Sequence, residues 1–537
     1  MLLKVVSLSW GAPGAMRMLT ILRAVLPAVA ALTVFAAAPA RAEWLRAETE
    51  HFVVIGDTGR GTITEYARKV ERFHSMLAMF RPPEQDDVVA PKLWIYLADG
   101  RAEMRQIWPS IREGVAGFYS RNDDRIFAVV DTNNEDSDNT LFHEYGHHYM
   151  FQYHNAAYPG WFVEGFAEYF APSEMGIRRV RYGLYRPGRI YSLEDTTGWV
   201  PMEDVLRSRL TGNSVRRGAA YYAQAWLLTH YMLGDPARRA QMSAYLDAVA
   251  RGEEPIDALA THIGRTPDEL GREMRSYLSR GITVYTLQQA LPQAEVTVTS
   301  LPRSTGDVVW LDLRSARPLG DDGPALVVQA QAAAARHPGD RLPAVVLAKL
   351  QRETDDLDGA RRTLEPVLAT FPEDAEARWL MAVILIEQAD ATDDDAARRL
   401  LTRQAQSHLA AAYQADPLDY RIYLALLKNR RGAPNFPSDN DVTIAESAWR
   451  LAPQIGTTAF EAAQLLMHRE RYLEAAYILA PLANNPHGGD SLSPVRILLA
   501  EARQKAGLGP TSVEAPPDAD AAIEAGVPDE GETPADD

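Results

Sequence analysis

Apolar positions along residues 43–135 recur in two rhythms. His51 to Ile55 (HFVVI) and Lys92 to Leu97 (KLWIYL) are β-branched and aromatic runs that predict strands. Between them, Ile63 to Phe80 repeats its apolar residues at helical spacing. Val115 to Tyr119 and Ile126 to Val130 predict two more strands. The turn-rich Arg121-Asn122-Asp123-Asp124 between them predicts a hairpin. From 138 to 285 the pattern is helical, with breaks at Pro159-Gly160, Gly212 and Gly234-Asp235-Pro236. Strands first and helices afterwards predict an α+β domain over residues 43–285 rather than a doubly wound one.

A second helical region, 320–508, has a repeat. Pro-x-Asp recurs at Pro338-Gly339-Asp340, Pro372-Glu373-Asp374 and Pro417-Leu418-Asp419, and a further Pro stands at 453, giving intervals of 34, 45 and 36 residues. Helix pairs punctuated by Pro at a period near 34 predict an all-α solenoid of the tetratricopeptide type. Ala348, Ala360 and Ala377 stand where paired helices approach closely, and an acidic insertion around Asp390 to Asp395 accounts for the long interval. Residues 286–319 are expected to be a linker. Residues 509–537 carry nine carboxylates and no Lys or Arg, and are expected to be a disordered acidic tail.

The first 42 residues have the order of an export signal. Lys4, Arg17 and Arg23 precede an apolar run from Ala24 to Ala40 that ends in Ala40-Arg41-Ala42. Cleavage after Ala42 is expected, with a periplasmic or secreted destination; the alternative is an uncleaved anchor. The run is short for a span and contains Pro27, and no second apolar stretch reaches spanning length. The formal charge is −17, or −21 without the leader, which argues against nucleic acid as a partner. The chain has no cysteine, so disulfides, thiolate catalysis and Cys-based zinc sites are excluded. Any metal must be held by His, Asp or Glu.

Such a set is present. Leu141 to Met150 (LFHEYGHHYM) contains His143-Glu144-Tyr145-Gly146-His147, an H-E-x-x-H match. Residues i and i+4 share a helix face, so His143 and His147 can hold one Zn²⁺ while Glu144 serves as general base. Asp138 or Asn139 is expected to cap this helix, which places the motif in its first two turns. A second helix, Trp161 to Phe170 (WFVEGFAEYF), should fold back on the first. Glu164, 17 positions after His147, can supply a third ligand. Glu168, one turn further along that face, can accept the free N–H of a zinc-bound imidazole. His148 and His154 are expected outside the ligand set.

HEYGH followed by WFVEGFAEY resembles the gluzincin metallopeptidases. More closely still, the chain resembles exported bacterial proteins with a peptidase-MA-like domain fused to tetratricopeptide repeats. The resemblance spans roughly residues 43–285 and includes HFVVIGD and Tyr222-Ala223-Gln224-Ala225-Trp226. It implies a gluzincin-like α+β zinc peptidase domain with His143, His147 and Glu164 as ligands, Glu144 as base and Glu168 beside a ligand histidine. It also implies an oxyanion donor on a later helix, for which Tyr222 is favoured over Tyr221 and His230; a plain core role for both tyrosines stays open. Sixteen residues separate His147 from Glu164, fewer than in those families, so the connecting turn is shorter.

The expected function is an exported zinc metallopeptidase acting on a peptide or protein, with the repeats presenting substrate or docking a protein partner. Two alternatives remain: a periplasmic scaffold whose metallopeptidase domain is vestigial, and a zinc amidase acting on a non-peptide bond. The hairpin is either a substrate-pairing edge or plain structure. Arg178, Arg179, Arg181, Arg186 and Arg189 are expected to form a solvated loop rather than a carboxylate-binding site.

Overall fold

The computed structural model describes residues 43–81, 90–154, 156–194, 198–208, 215–484 and 493–509. The stretch expected to be an export leader, the Gly212 break and the stretch from 510 onward expected to be a tail lie outside these residues. Five strands come early: β1 (Trp44–Glu48), β2 (Phe52–Asp57), β3 (Leu93–Ala98), β4 (Gly117–Arg121) and β5 (Ile126–Asp131). Helix α1 (Arg60–Phe80) joins β2 to β3, and α2 (Arg101–Ile107) follows β3. Helix α1 carries the chain back across the sheet, so β2 and β3 pair in parallel; β4 runs opposite to β3, its hairpin with β5 turns the chain again, and β5 pairs in parallel with β3, leaving the sheet mixed.

The helical part follows as α3 (Ser137–Tyr153), α4 (Gly160–Phe170), α5 (Pro187–Glu194), α6 (Met202–Leu206), α7 (Val215–Leu233), α8 (Pro236–Ala250) and α9 (Pro267–Ser279). Short strands β6 (Glu174–Met175), β7 (Val180–Tyr182) and β8 (Tyr285–Thr286) make a separate sheet.

The stretch expected to be a linker is folded, which corrects that boundary. Strand β9 (Thr297–Ser300) pairs with β1, and the main sheet has the order β4-β5-β3-β2-β1-β9. Helix α10 (Thr305–Arg314) buries two faces. Val309, Trp310 and Leu313 pack on the sheet with Val53, Ile55 and Phe127. Val308 and Leu311 pack on the first helices of the solenoid. The described residues from Trp44 onward form one compact unit. The alternating residues of the same strands, such as Phe52, Val54, Ile95 and Val130, face the other way into the core shared with α1, α3 and α4.

The solenoid is built from α11 (Gly323–Arg336), α12 (Arg341–Glu353), α13 (Leu357–Thr370), α14 (Ala375–Ala391), α15 (Asp395–Ala415), α16 (Tyr420–Arg430), α17 (Asp439–Leu451), α18 (Gly456–His468), α19 (Tyr472–Ala483) and α20 (Ser493–Lys505). The Pro-x-Asp repeat has a physical basis here. Asp340, Asp374 and Asp419 are the N-caps of α12, α14 and α16, accepting from Leu342 N at 3.0 Å, Ala377 N at 2.8 Å and Arg421 N at 3.0 Å. The long interval is taken up by two long helices, α14 of 17 residues and α15 of 21, with Asp394 capping the second. Ala348, Ala360 and Ala377 are fully buried. Among the described residues no helix is long and apolar enough to cross a membrane.

Candidate metal centre

Helix α3 starts at Ser137, one residue ahead of the expected caps. Asp136 holds the cap position without a side-chain cap bond, and Asp138 instead pairs with Lys69 at 2.7 Å. The H-E-x-x-H residues therefore fall in the second and third turns. Helix α4 begins after Pro159 and is buried along its whole length. Phe162, Phe166 and Phe170 run down it in successive edge contacts, with Phe80 of α1 against the last.

Two glycines set the helix spacing. A side-chain carbon on Gly146, inside the motif, would stand 3.2 Å from Ala167 Cα of α4. One on Gly165 would stand 2.5 Å from the Ala225 carbonyl oxygen and 2.2 Å from Thr229 Oγ1, both on α7. The three helices close to backbone contact at these points, which draws Glu164 toward α3 and Tyr222 toward α4.

The result is a triangle of donors. His143 Nε2 and His147 Nε2 lie 3.1 Å apart, and Glu164 Oε2 lies 3.8 Å and 3.5 Å from them. Ligands of a tetrahedral ion with bonds of about 2.0–2.1 Å stand about 3.3 Å from one another, which these separations straddle. Glu164 has 0 % of its surface exposed. Burial, and then His147, lower the His143 pKa, so the imidazole is neutral, the form that ligates metals. Two imidazoles and a buried carboxylate suit a divalent ion with borderline ligand preference, and zinc fits. Glu144 is partly exposed on the same helix.

Glu168 is 2 % exposed, and its Oε1 lies 3.4 Å from His143 Nδ1. Burial opposes its ionisation. The Arg189 guanidinium prevails through a two-pronged contact, Nε to Oε2 at 2.9 Å and Nη2 to Oε1 at 2.6 Å, and holds the carboxyl at about 2. Arg189, on α5, also lies over the Tyr222 ring at 5.2 Å. The basic stretch is thus not one solvated loop. Arg189 belongs to the site and Arg186 pairs with Asp136, while Arg181 pairs with Glu174 at the surface and Arg178 and Arg179 are exposed. The sequence held one signal for this: a buried Glu168 needs a cation, and this stretch holds the next arginines along the chain.

Tyr222 is 4 % exposed, and its hydroxyl makes no hydrogen bond among the described residues. Burial, and then Glu164, push its pKa well up, so it keeps its proton as a donor. His230 is placed elsewhere. Its Nδ1 meets Tyr277 Oη at 2.8 Å and its Nε2 meets the Gly183 and Thr283 carbonyls, each at 3.1 Å, so both ring nitrogens are engaged. His148 is buried and outside the donor triangle. Burial, and then Arg121, push it down to about 3, and the Nδ1 of the neutral ring meets Tyr119 Oη of β4 at 2.9 Å. His154 is buried at the end of α3. The β4–β5 hairpin is present, and β4 is an edge strand beside α3. Glu50, His51 and Glu71 form a second group with ligating atoms close together, but there His51 and Glu71 bond each other directly.

Comparison with known proteins adds little chemistry. A family model described as a protein of unknown function (DUF1570) matches residues 138–257, a span that holds His143, Glu144, His147, Glu164, Glu168 and Tyr222. No curated protein matches the chain. Among solved structures, a thermophilic tetratricopeptide-repeat protein of Thermus thermophilus is similar at 19 % identity, covering 34 % of this chain and 91 % of that one, with a TM-score of 0.27. A score that low carries no argument, and the repeat architecture rests on the capped helix pairs themselves.

Proposed function

We propose that the protein is an exported zinc-dependent metallopeptidase of the gluzincin type, with the ion held by His143, His147 and Glu164. The donor triangle carries this reading: two imidazoles and a buried carboxylate from two facing helices, at the mutual spacing of tetrahedral ligands. Zinc bound there supplies Lewis acidity toward a scissile carbonyl and toward the attacking water.

The chain's own residues do the rest. Glu144 takes a proton from the water and returns it to the leaving amine. The Tyr222 hydroxyl, kept protonated by burial, donates to the developing oxyanion. Glu168, anchored by Arg189, holds the His143 ring by its Nδ1 side. Edge strand β4 pairs on one side only among the described residues, and its other side can pair with an extended peptide. That edge favours a peptide over a non-peptide amide. A vestigial domain has no use for a partly exposed Glu144 that stands outside the donor group.

Elemental mass spectrometry of the purified chain tests the reading. About one zinc per wild-type chain, lost in Glu164→Ala, is expected. Glu144→Gln should keep the zinc and lose peptide hydrolysis. A wild-type chain that takes up no zinc on reconstitution sinks the proposal.

A further inference from the structure

The face of the solenoid nearest the metal domain meets the β4–β5 turn. Tyr420 Oη donates to the Asn122 carbonyl at 2.7 Å, Arg421 Nη1 to the Asp124 carbonyl at 3.2 Å, and Thr457 Oγ1 to Asp123 Oδ2 at 3.0 Å. Beside them Ile126 of β5 packs on Tyr420, Leu451, Ala452 and Ile455. The next residue back, Arg125, enters a charged cluster with Asp312, Lys349, Glu376 and Arg421.

Two further contacts reach the ligand helices. Gln152, in the last turn of α3, donates to the Arg450 carbonyl at 3.4 Å, and Asn484 donates to the Ala157 carbonyl, in the α3–α4 connection, at 3.2 Å. The solenoid thus grips the edge-strand hairpin, the H-E-x-x-H helix and the turn leading to Glu164. Tyr420, Arg421 and Asn484 all donate to main-chain carbonyls, so they fix the course of the backbone rather than one side chain.

We infer that the repeats act in cis, as a brace that holds edge strand β4 beside the metal centre, with Tyr420, Arg421 and Thr457 as positioning residues. The inference rests on the proposed reading in taking β4 as the wall where an extended peptide lies. It assigns the hairpin-facing surface of the solenoid an internal ligand, the Asn122 and Asp124 carbonyls and the Asp123 carboxylate.

The test is amide hydrogen exchange on the full chain with zinc added, comparing wild type with Tyr420→Phe/Thr457→Ala. These changes remove two hydroxyl donors and little volume. Amides of β4 and β5 should exchange about tenfold faster, while those of α1 and α13 keep their wild-type rates. Unchanged rates in β4 overturn the proposal. A uniform rise across the chain also overturns it, because the two residues would then serve global stability; Thr457→Ala alone, at the turn tip, repeats the comparison with a smaller perturbation. Exchange needs no substrate and no activity. A chain that lacked zinc would sink the peptidase reading and leave the exchange result to be judged by itself.

Discussion

Replacing Gly165 by Ala tests why α4 lies where it does. The added methyl would stand 2.5 Å from the Ala225 carbonyl oxygen and 2.2 Å from Thr229 Oγ1. Non-bonded heavy atoms are at ease near about 3.5 Å, so α4 and α7 must part by about 1 Å. Thr229 can turn its hydroxyl aside. The Ala225 carbonyl cannot move, because it is bonded within α7. Ala favours a helix over Gly by about 1 kcal/mol, and overpacking a tight core costs about 1–3 kcal/mol or more. With all of α4 buried the upper end applies, and a net loss of about 2 kcal/mol is expected. Glu164 adjoins the clash, so zinc affinity should fall about 10- to 100-fold, the range for disturbed ligand support. Gly146→Ala meets Ala167 at 3.2–3.3 Å, only a few tenths too close, and helix propensity should offset most of it. Urea unfolding and chelator competition read both quantities, with Thr229→Ala/Gly165→Ala expected to rescue little. A Gly165→Ala chain with wild-type midpoint and zinc affinity, or a Gly146→Ala chain that is the worse of the two, would refute this account.

Other perturbations separate structure from chemistry. Tyr222→Phe removes a buried hydroxyl that satisfies no partner among the described residues, so stability should hold or rise slightly while kcat falls about 10²- to 10³-fold and zinc is retained. Glu168 is held at about 2 against an ordinary 4.5, so its contribution, about 3 kcal/mol, is present above pH 4.5 and lost as pH falls toward 2. In Arg189→Met, acid unfolding should begin at higher pH, and Arg189→Met/Glu168→Gln should recover part of the loss at neutral pH; equal acid midpoints for wild type and Arg189→Met would remove Arg189 from this role. His230→Phe should lower thermal stability by stranding the Gly183 and Thr283 carbonyls while leaving zinc content unchanged, and a loss of zinc there would bring His230 back into the site.

Much of the architecture is legible in the chain because it follows from local rules. Strands β2, β3, β4 and β5 and helix α1 come from runs and periods within one element. The solenoid comes from a capping residue repeated at three of its helix starts, a signal contained in three residues. The stretch 286–319 is illegible for the opposite reason. Thr297–Ser300 is too short to stand out as a strand, and it is one because β1 offers it an edge. The Val308-Val309-Trp310-Leu311 run of α10 is apolar on two faces, which makes sense only when a sheet and a solenoid lie on either side of it.

The candidate site divides along the same line. The sequence by itself determined the donor types and their order: two imidazoles one turn apart, a glutamate between them, and two carboxylates one turn apart on the next helix. Covalent spacing and helix geometry suffice for that. Only the tertiary structure decided which later residues join them. Arg189 and Arg186 are three positions apart, yet one closes on a buried carboxylate at the centre and the other pairs with Asp136 before α3. Tyr222 and His230 share α7, yet one stands beside Glu164 and the other spends both ring nitrogens on structure. Side-chain spacing along one helix is set by bonds, whereas the meeting of distant helices is set by where glycine lets their backbones touch.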